Sequence, residues 1–202
     1  MRKFITCVLC TVAMCCCATE YGIDVSHYNI VDWQSVKENN ITFCYIKATE
    51  GTSFKDKKCM THVYNAQKAG LKIGLYHYYR TDMDVKQQLA NFKSVYSNVN
   101  SDLIPVIDVE SKGNTFTTET NKHLKELVKA FENEFGVKPM IYYGSISALQ
   151  TMIDVLDCKF WLRSLKWHRL IPSTVKQIGL ISIGNEQLDY NVCPNIKSIM
   201  LN

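Results

Sequence analysis

Leu103-Ile104-Pro105-Val106-Ile107-Asp108-Val109-Glu110 is an apolar run that turns acidic at its end. Its β-branched residues and unbroken hydrophobicity read as a strand over 103–109, buried on both faces. Such strands belong to parallel sheets covered by helices. Residues two apart on a strand share a face, so Asp108 and Glu110 point the same way, about 6.6 Å apart along the chain.

The same pattern recurs on both sides of this segment. Strands are expected at 21–26, 41–48, 71–79 and 137–143. Between them lie helical stretches. Residues 32–39 form a short one. Met60, Val63, Tyr64 and Ala66 make a stripe stopped by Gly70. Val85, Leu89, Phe92 and Tyr96 make another, and Leu124, Leu127, Val128, Phe131 and Phe135 a third, closed by Gly136. Gly after the last apolar position is the usual helix stop. The repeat of strand and helix runs at roughly 30 residues, the length of a βα unit. Beyond residue 145 the helical pattern fades to a short helix at 146–153 and strand-like runs at 159–163, 176–183 and 187–190. A complete eightfold βα barrel takes about 250 residues, with about 200 as its lower limit. The expected fold class is therefore α/β: a distorted TIM-like barrel of about five βα units followed by three strands with few helices.

Polar residues gather where the strands end. They are Asp24 and Ser26, Lys47 and Glu50, His77, Tyr78 and Arg80, Asp108 and Glu110, Tyr142 and Tyr143, and Asp189. In a barrel these ends share one rim, where such folds place their chemistry. Closure makes the first and last strands neighbours and sets Asp24 beside Asp189. Repulsion and desolvation raise the pKa of clustered acids. A carboxyl that keeps its proton near neutral pH can donate it, while an ionised neighbour stabilises positive charge, as in glycoside hydrolysis. Capping of the next helix, pairing with bases, and binding of Mg²⁺ or Ca²⁺ are the competing uses of such acids. Lys47 suits either an ion pair with a site acid or a solvated rim. His27 is placed to orient Asp24, His77 faces either core or rim, and Trp33 reads as core packing.

The chain has 202 residues, 47% of them hydrophobic, which is enough for one globular domain with a sizeable core. Its formal charge of +4 is mild and forms no basic block, so nucleic acid is not an expected partner. Arg2 and Lys3, the apolar stretch Phe4 to Cys17, and Ala18 have the layout of a secretory signal peptide. The expected boundaries are a signal peptide at 1–18 and one domain at 19–202. Secretion, or delivery to a digestive vacuole or lysosome, follows. No later stretch is long enough for a membrane span, so no membrane insertion is expected. Four cysteines remain after residue 18, and an even number in a secreted chain suggests two disulfides. The pairing chosen among the three available is Cys44–Cys59 and Cys158–Cys193. Asn40-Ile41-Thr42 is a glycosylation sequon.

Several segments together carry a resemblance. Tyr21-Gly22-Ile23-Asp24-Val25-Ser26-His27-Tyr28-Asn29, followed by Asp32-Trp33, resembles the opening motif of the family 25 glycoside hydrolases, lysozymes of the N-acetylmuramidase type. Phe43 to Gly51, Gly74 to Tyr79, Pro105 to Glu110, Ile141 to Gly144 and Leu188 to Asn191 are similar to that family's later strand motifs, in the same order. The resemblance implies a distorted barrel that cleaves the β-1,4 bond after N-acetylmuramic acid in peptidoglycan, without a cofactor or metal. It implies Glu110 as general acid, with Asp24, Asp108 and Asp189 lining the site. Tyr78 and Tyr143 would shape the sugar site. A monomer acting on bacterial peptidoglycan is expected.

The sequence also departs from the family. Where Trp-Gln-Tyr is common, Lys176-Gln177-Ile178 keeps only Gln177, and Trp161 is followed by Leu162-Arg163-Ser164 rather than small residues. Trp161, Gln177, Arg163 and Lys47 complete the expected substrate-binding set. Arg163 has two possible partners, a site carboxylate or a carboxylate of the wall. The alternatives that stay open are a weak or inactive peptidoglycan-binding protein on the same scaffold, and a metal-dependent hydrolase.

Overall fold

The computed structural model describes residues 19–110, 117–144, 157–163 and 174–201. Nine strands form one sheet. In chain order they are β1 (Glu20–Val25), β2 (Ile41–Glu50), β3 (Phe54–Lys55), β4 (Lys72–Tyr78), β5 (Val106–Val109), β6 (Met140–Tyr143), β7 (Lys159–Arg163), β8 (Val175–Ile183) and β9 (Glu186–Cys193). All but the two-residue β3 close into an eight-stranded barrel, because β1 pairs with both β2 and β9. Neighbours are parallel from β1 round to β8, while β9 runs antiparallel to β8 and β1. The distorted TIM-like α/β barrel expected from the sequence is what the chain forms.

Four α-helices are described: α1 (Trp33–Glu38), α2 (Cys59–Lys68), α3 (Val85–Tyr96) and α4 (Thr118–Phe135). Their ends follow capping chemistry. The Asp32 carboxylate accepts from the Gln34 and Ser35 backbone N–H groups, and Asp84 accepts from that of Gln87. Thr117 and Thr120 form a reciprocal capping box before α4, and Gly136 closes that helix in the left-handed conformation at φ 71. The expected helix at 146–153 lies outside the described residues.

Two expected strands start later than the apolar run that announced them. β5 begins at Val106 and β6 at Met140. Leu103 instead bridges to Met200 beneath the barrel, and Pro105 and Pro139, which have no N–H to donate, stand just before the two strands. The final two strands are a hairpin with Gly184-Asn185 as its loop, and Gly184 adopts φ 60. That dipeptide is a local hairpin signal.

Strand alternation sorts the core into two layers. Ile23, Val25, Cys44, Ile46, Ile73, Leu75, Ile107, Val109, Ile141 and Leu162 pack outward with α2, α3 and α4 residues such as Val63, Phe92, Leu127 and Phe131. Phe43, Tyr45, Val106, Met140, Tyr142, Trp161 and Val175 fill the barrel, with Leu103, Ile104, Ile196 and Ile199. The interior is tight. A Cβ on Gly22 would stand 2.3 Å from Phe43 Cε2, and one on Gly74 would stand 2.2 Å from Tyr45 Cε1. Only glycine leaves room there for the rings that plug the barrel.

This layering decides the cysteines. Cys44, Cys59, Cys158 and Cys193 are all free thiols, so the expected disulfides are corrected. Cys193 packs with the barrel interior and Cys158 with the outer layer, so the sheet lies between them. Cys59 starts α2 beside Asp56, whose N–H bonds the Ala48 carbonyl. Cys44 is four residues lower on β2, about 13 Å down the strand. Asn40, the sequon residue, is exposed in a turn at φ 57.

Candidate active site

Inward-facing positions grade from apolar to polar or charged toward one rim of the barrel. β5 runs Val106, Asp108, then Glu110 just past its end. β1 runs Gly22, Asp24, then Ser26, and β2 runs Phe43, Tyr45, Lys47. On the antiparallel β9 the order reverses, from Cys193 through Asn191 to Asp189. The polar ends meet in a cavity of about 190 Å³ lined by Asp24, Ser26, Tyr28, Lys47, Tyr76, Tyr78, Val106, Asp108, Glu110, Tyr142, Trp161 and Asp189. All four acids singled out in the sequence are among them. Asp24 and Asp189 are direct cross-strand partners. Asp189 sits inside β9 rather than at a strand's C-terminal end, because that strand points the other way.

A buried amide network holds the acids. Asn191 Nδ2 donates to Asp24 Oδ2 at 2.8 Å, and Asn191 Oδ1 accepts from Trp161 Nε1 at 2.9 Å. Tyr142 Oη donates to Gln177 Oε1 at 2.8 Å, and Gln177 Nε2 donates to Asp189 Oδ1. Trp161 and Gln177 are expected from the sequence among the substrate-binding residues. In the structure both are buried, Trp161 as part of the pocket wall and Gln177 behind it as a clamp on Asp189. Asn191 stands two residues from Asp189 and shares its face; the closing motif includes it, and the structure gives it its role as the donor to Asp24.

Burial raises the pKa of three of these acids. Asp24 is pushed up to about 8, first by burial and then by the Asp189 charge, with Glu110 adding to the push; the Asn191 bond and the Arg163 charge oppose it. Burial, then Glu110 and Asp24, lift Asp108 well above its ordinary value, with Lys47 opposing. Asp108 Oδ1 is buried without a hydrogen-bond partner among the described residues, which fits a neutral carboxyl better than an ion. Burial also raises Asp189, against the pull of Gln177 and Arg163. At neutral pH Asp24 therefore holds a proton, and burial favours the neutral form of Asp108.

Lys47 is buried, and its Nζ lies 2.7 Å from Glu50 Oε2 and 4.8 Å from the Tyr78 ring centre. It is thus a fixed charge in the pocket wall, paired to the rim acid Glu50. Arg163, exposed at the end of β7, acts on Asp24 and Asp189 through its charge. Tyr78 lines the pocket, but Tyr143 does not. Tyr143 faces outward, 2% exposed, in the layer beneath the helices, so Tyr142 takes the place expected of it. All four β6 residues are buried, so the apolar run carried no sign of which face was which.

The two histidines are settled by their partners. His77 is fully buried on the outer face, its Nδ1 2.8 Å from Thr49 Oγ1 and its Nε2 3.2 Å from Gln88 Oε1. His27 turns to Asp56, not Asp24: Asp56 Oδ2 accepts from its Nδ1 at 2.7 Å and its backbone N–H at 2.9 Å. Gly144 follows β6 beside Glu110, where a Cβ would come within 3.8 Å of Glu110 Cγ.

The model of Glycosyl hydrolases family 25 matches residues 23–176. The uncharacterized protein YegX of Escherichia coli K12 is 33% identical over 134 residues, covering 63% of this chain and 49% of that protein. Lysozyme M1 of Streptomyces globisporus is 38% identical over 94 residues, covering 44% of this chain and 32% of that protein. The chain thus spans about half the length, or less, of these curated relatives. A solved family 25 glycosyl hydrolase from Bacillus anthracis is similar at TM-score 0.73 and 27% identity, covering 86% of this chain and 88% of that one. With its family match running from β1 into β8, this chain belongs to glycosyl hydrolase family 25.

Proposed function

We propose that this protein is a muramidase that hydrolyses the β-1,4 bond between N-acetylmuramic acid and N-acetylglucosamine in bacterial peptidoglycan. The observation that carries the reading is the convergence of Asp24, Asp108, Glu110 and Asp189, from three strands, in one cavity. Similarity to Lysozyme M1 and to an autolytic lysozyme of Clostridium acetobutylicum supports the substrate.

Glu110 stands at the rim end of the acidic ladder, only partly buried, where a glycosidic oxygen can reach it. In this reading it protonates the departing sugar oxygen. Asp24 carries a proton in the resting pocket and burial favours the neutral form of Asp108, so these carboxyls can donate hydrogen bonds to an acetamido carbonyl. The carboxyl oxygens around the anomeric carbon stabilise the positive charge that grows there, and a water then adds to that carbon and returns a proton to Glu110. Asp189, clamped by Gln177, holds the wall opposite. Residues 1–18 serve as a secretory leader in this reading, delivering the enzyme to its substrate outside the cytosol.

Digestion of purified peptidoglycan followed by mass analysis of the fragments tests the proposal. New reducing ends at N-acetylmuramic acid are expected. Reducing ends at N-acetylglucosamine would reject the bond assignment. Sedimentation with the wall and no new reducing ends would identify a binding protein instead.

A further inference from the structure

The acidic cavity is small for its proposed task. At about 190 Å³ it falls below the roughly 300–1,000 Å³ that enclose a drug-sized ligand. It takes a fragment of a polysaccharide, and the rest of the strand must lie on the rim. One stretch of that rim is built as a stacking surface. Tyr28, on the loop after β1, lines the cavity yet is 81% exposed, and Phe54 of β3 is 42% exposed. Exposed aromatic rings gathered in one patch beside a cavity mark a binding surface, unlike scattered surface residues. His27 joins the two, its ring centre 4.0 Å from that of Tyr28 and 5.6 Å from that of Phe54.

The rings are anchored from both ends. His27 is held by the buried Asp56 through its backbone N–H and Nδ1, and Asp56 is in turn tied to the Lys58 and Ala48 backbones. Phe54 is fixed from the cavity side by Lys47 Nζ, 5.5 Å from its ring centre, and Asn91 Nδ2 donates to the Phe54 carbonyl at 3.1 Å. Rings placed this way lose little freedom when a ligand arrives.

We propose that Tyr28, His27 and Phe54 form an accessory glycan subsite, which stacks a pyranose ring of the strand adjacent to the sugar held among the carboxylates. The ligand is an uncharged N-acetylhexosamine unit, presenting the apolar face of its ring to the aromatics and its hydroxyls to water. The inference rests on the muramidase reading for its ligand class and on the cavity's continuity with Tyr28 for its place.

Calorimetric titration of the full chain with N-acetylglucosamine oligomers, from dimer to hexamer, tests it. The wild-type protein should bind the hexamer more tightly than the dimer. Stacking of aromatic groups contributes about 0.5–1.5 kcal/mol, so Tyr28→Ala should weaken hexamer binding about 2- to 10-fold more than dimer binding. Phe54→Ala should act in the same direction, and Tyr28→Trp should restore the gain with length. Absence of a length-dependent gain in the wild-type protein, or equal loss for dimer and hexamer in Tyr28→Ala, overturns the subsite. A gain that Tyr28→Ala abolishes, in a protein that releases no reducing ends from peptidoglycan, keeps the subsite and rejects the muramidase reading. Release of reducing ends without the gain does the reverse.

Discussion

Asp24 on β1 and Asp189 on β9 face each other across the antiparallel seam that closes the barrel. Two like charges directly opposite on one sheet face destabilise it. The protein offsets that repulsion with a proton on Asp24, an amide on each acid from Asn191 and Gln177, and the nearby Arg163 charge. The seam is thus where stability and chemistry meet.

The proton on Asp24 makes stability depend on pH. Its pKa is 3.8 in the reference state and about 8 in the fold. Between those values the native state holds a proton that the unfolded chain has lost, so this contribution is complete at low pH and disappears as pH rises through the folded value. Urea unfolding across that window should show wild-type stability falling more steeply with pH than that of Asp24→Asn. Parallel profiles would remove Asp24 as the carrier of the proton.

Glu110→Gln should cut turnover on peptidoglycan by about 10²–10⁴-fold, the usual worth of a general acid. The variant should keep the wild-type circular dichroism spectrum. Turnover near that of the parent would reject Glu110 as the proton donor.

Tyr142→Phe deletes the hydroxyl that donates to Gln177 Oε1 and leaves that buried oxygen without its donor. A loss of about 1–3 kcal/mol in unfolding free energy is expected. The same substitution frees Gln177 to turn from Asp189, so kcat should fall as well. Tyr143→Phe, on the outer face, should leave KM unchanged, and steady-state kinetics of the two variants would separate the roles.

Gly74→Ala places a methyl group against the Tyr45 ring inside the barrel. Overpacking there should cost about 1–3 kcal/mol or more, since the ring is fully buried. A midpoint of thermal unfolding equal to that of the parent would contradict the tight floor.

All four cysteines after residue 18 are free, so Cys44, Cys59, Cys158 and Cys193 should each react with iodoacetamide in denatured protein that was never reduced. Peptide mass mapping reads the result directly. A linked peptide pair would show a bridge absent from this fold.

Much of the fold was legible because its signals are local. The stripe Leu124, Leu127, Val128, Phe131 and the stop at Gly136 need only the 3.6-residue period and one left-handed residue. The two-residue spacing of Asp108 and Glu110 likewise follows from the pleat. Other features were hidden by symmetry or distance. Tyr142 and Tyr143 are both buried, so no polar alternation marked the inward one. His27 and Asp56 meet through loops that end up side by side, and neither residue carries a trace of the other in its own neighbourhood. The cysteine arithmetic assumed that bridges stabilise the chain, whereas a two-layered core already surrounds the thiols with apolar groups.

The alternation of strands and helices and the acids at the strand ends are written in the residues alone, since both depend on backbone geometry within a few residues. Only the tertiary structure decided that β9 turns back antiparallel, that Asp24 meets Asp189 there, and that Tyr142 rather than Tyr143 faces the pocket. Those outcomes depend on closure of the barrel, a global condition in which each strand's inward face is set by the neighbours it pairs with rather than by its own residues.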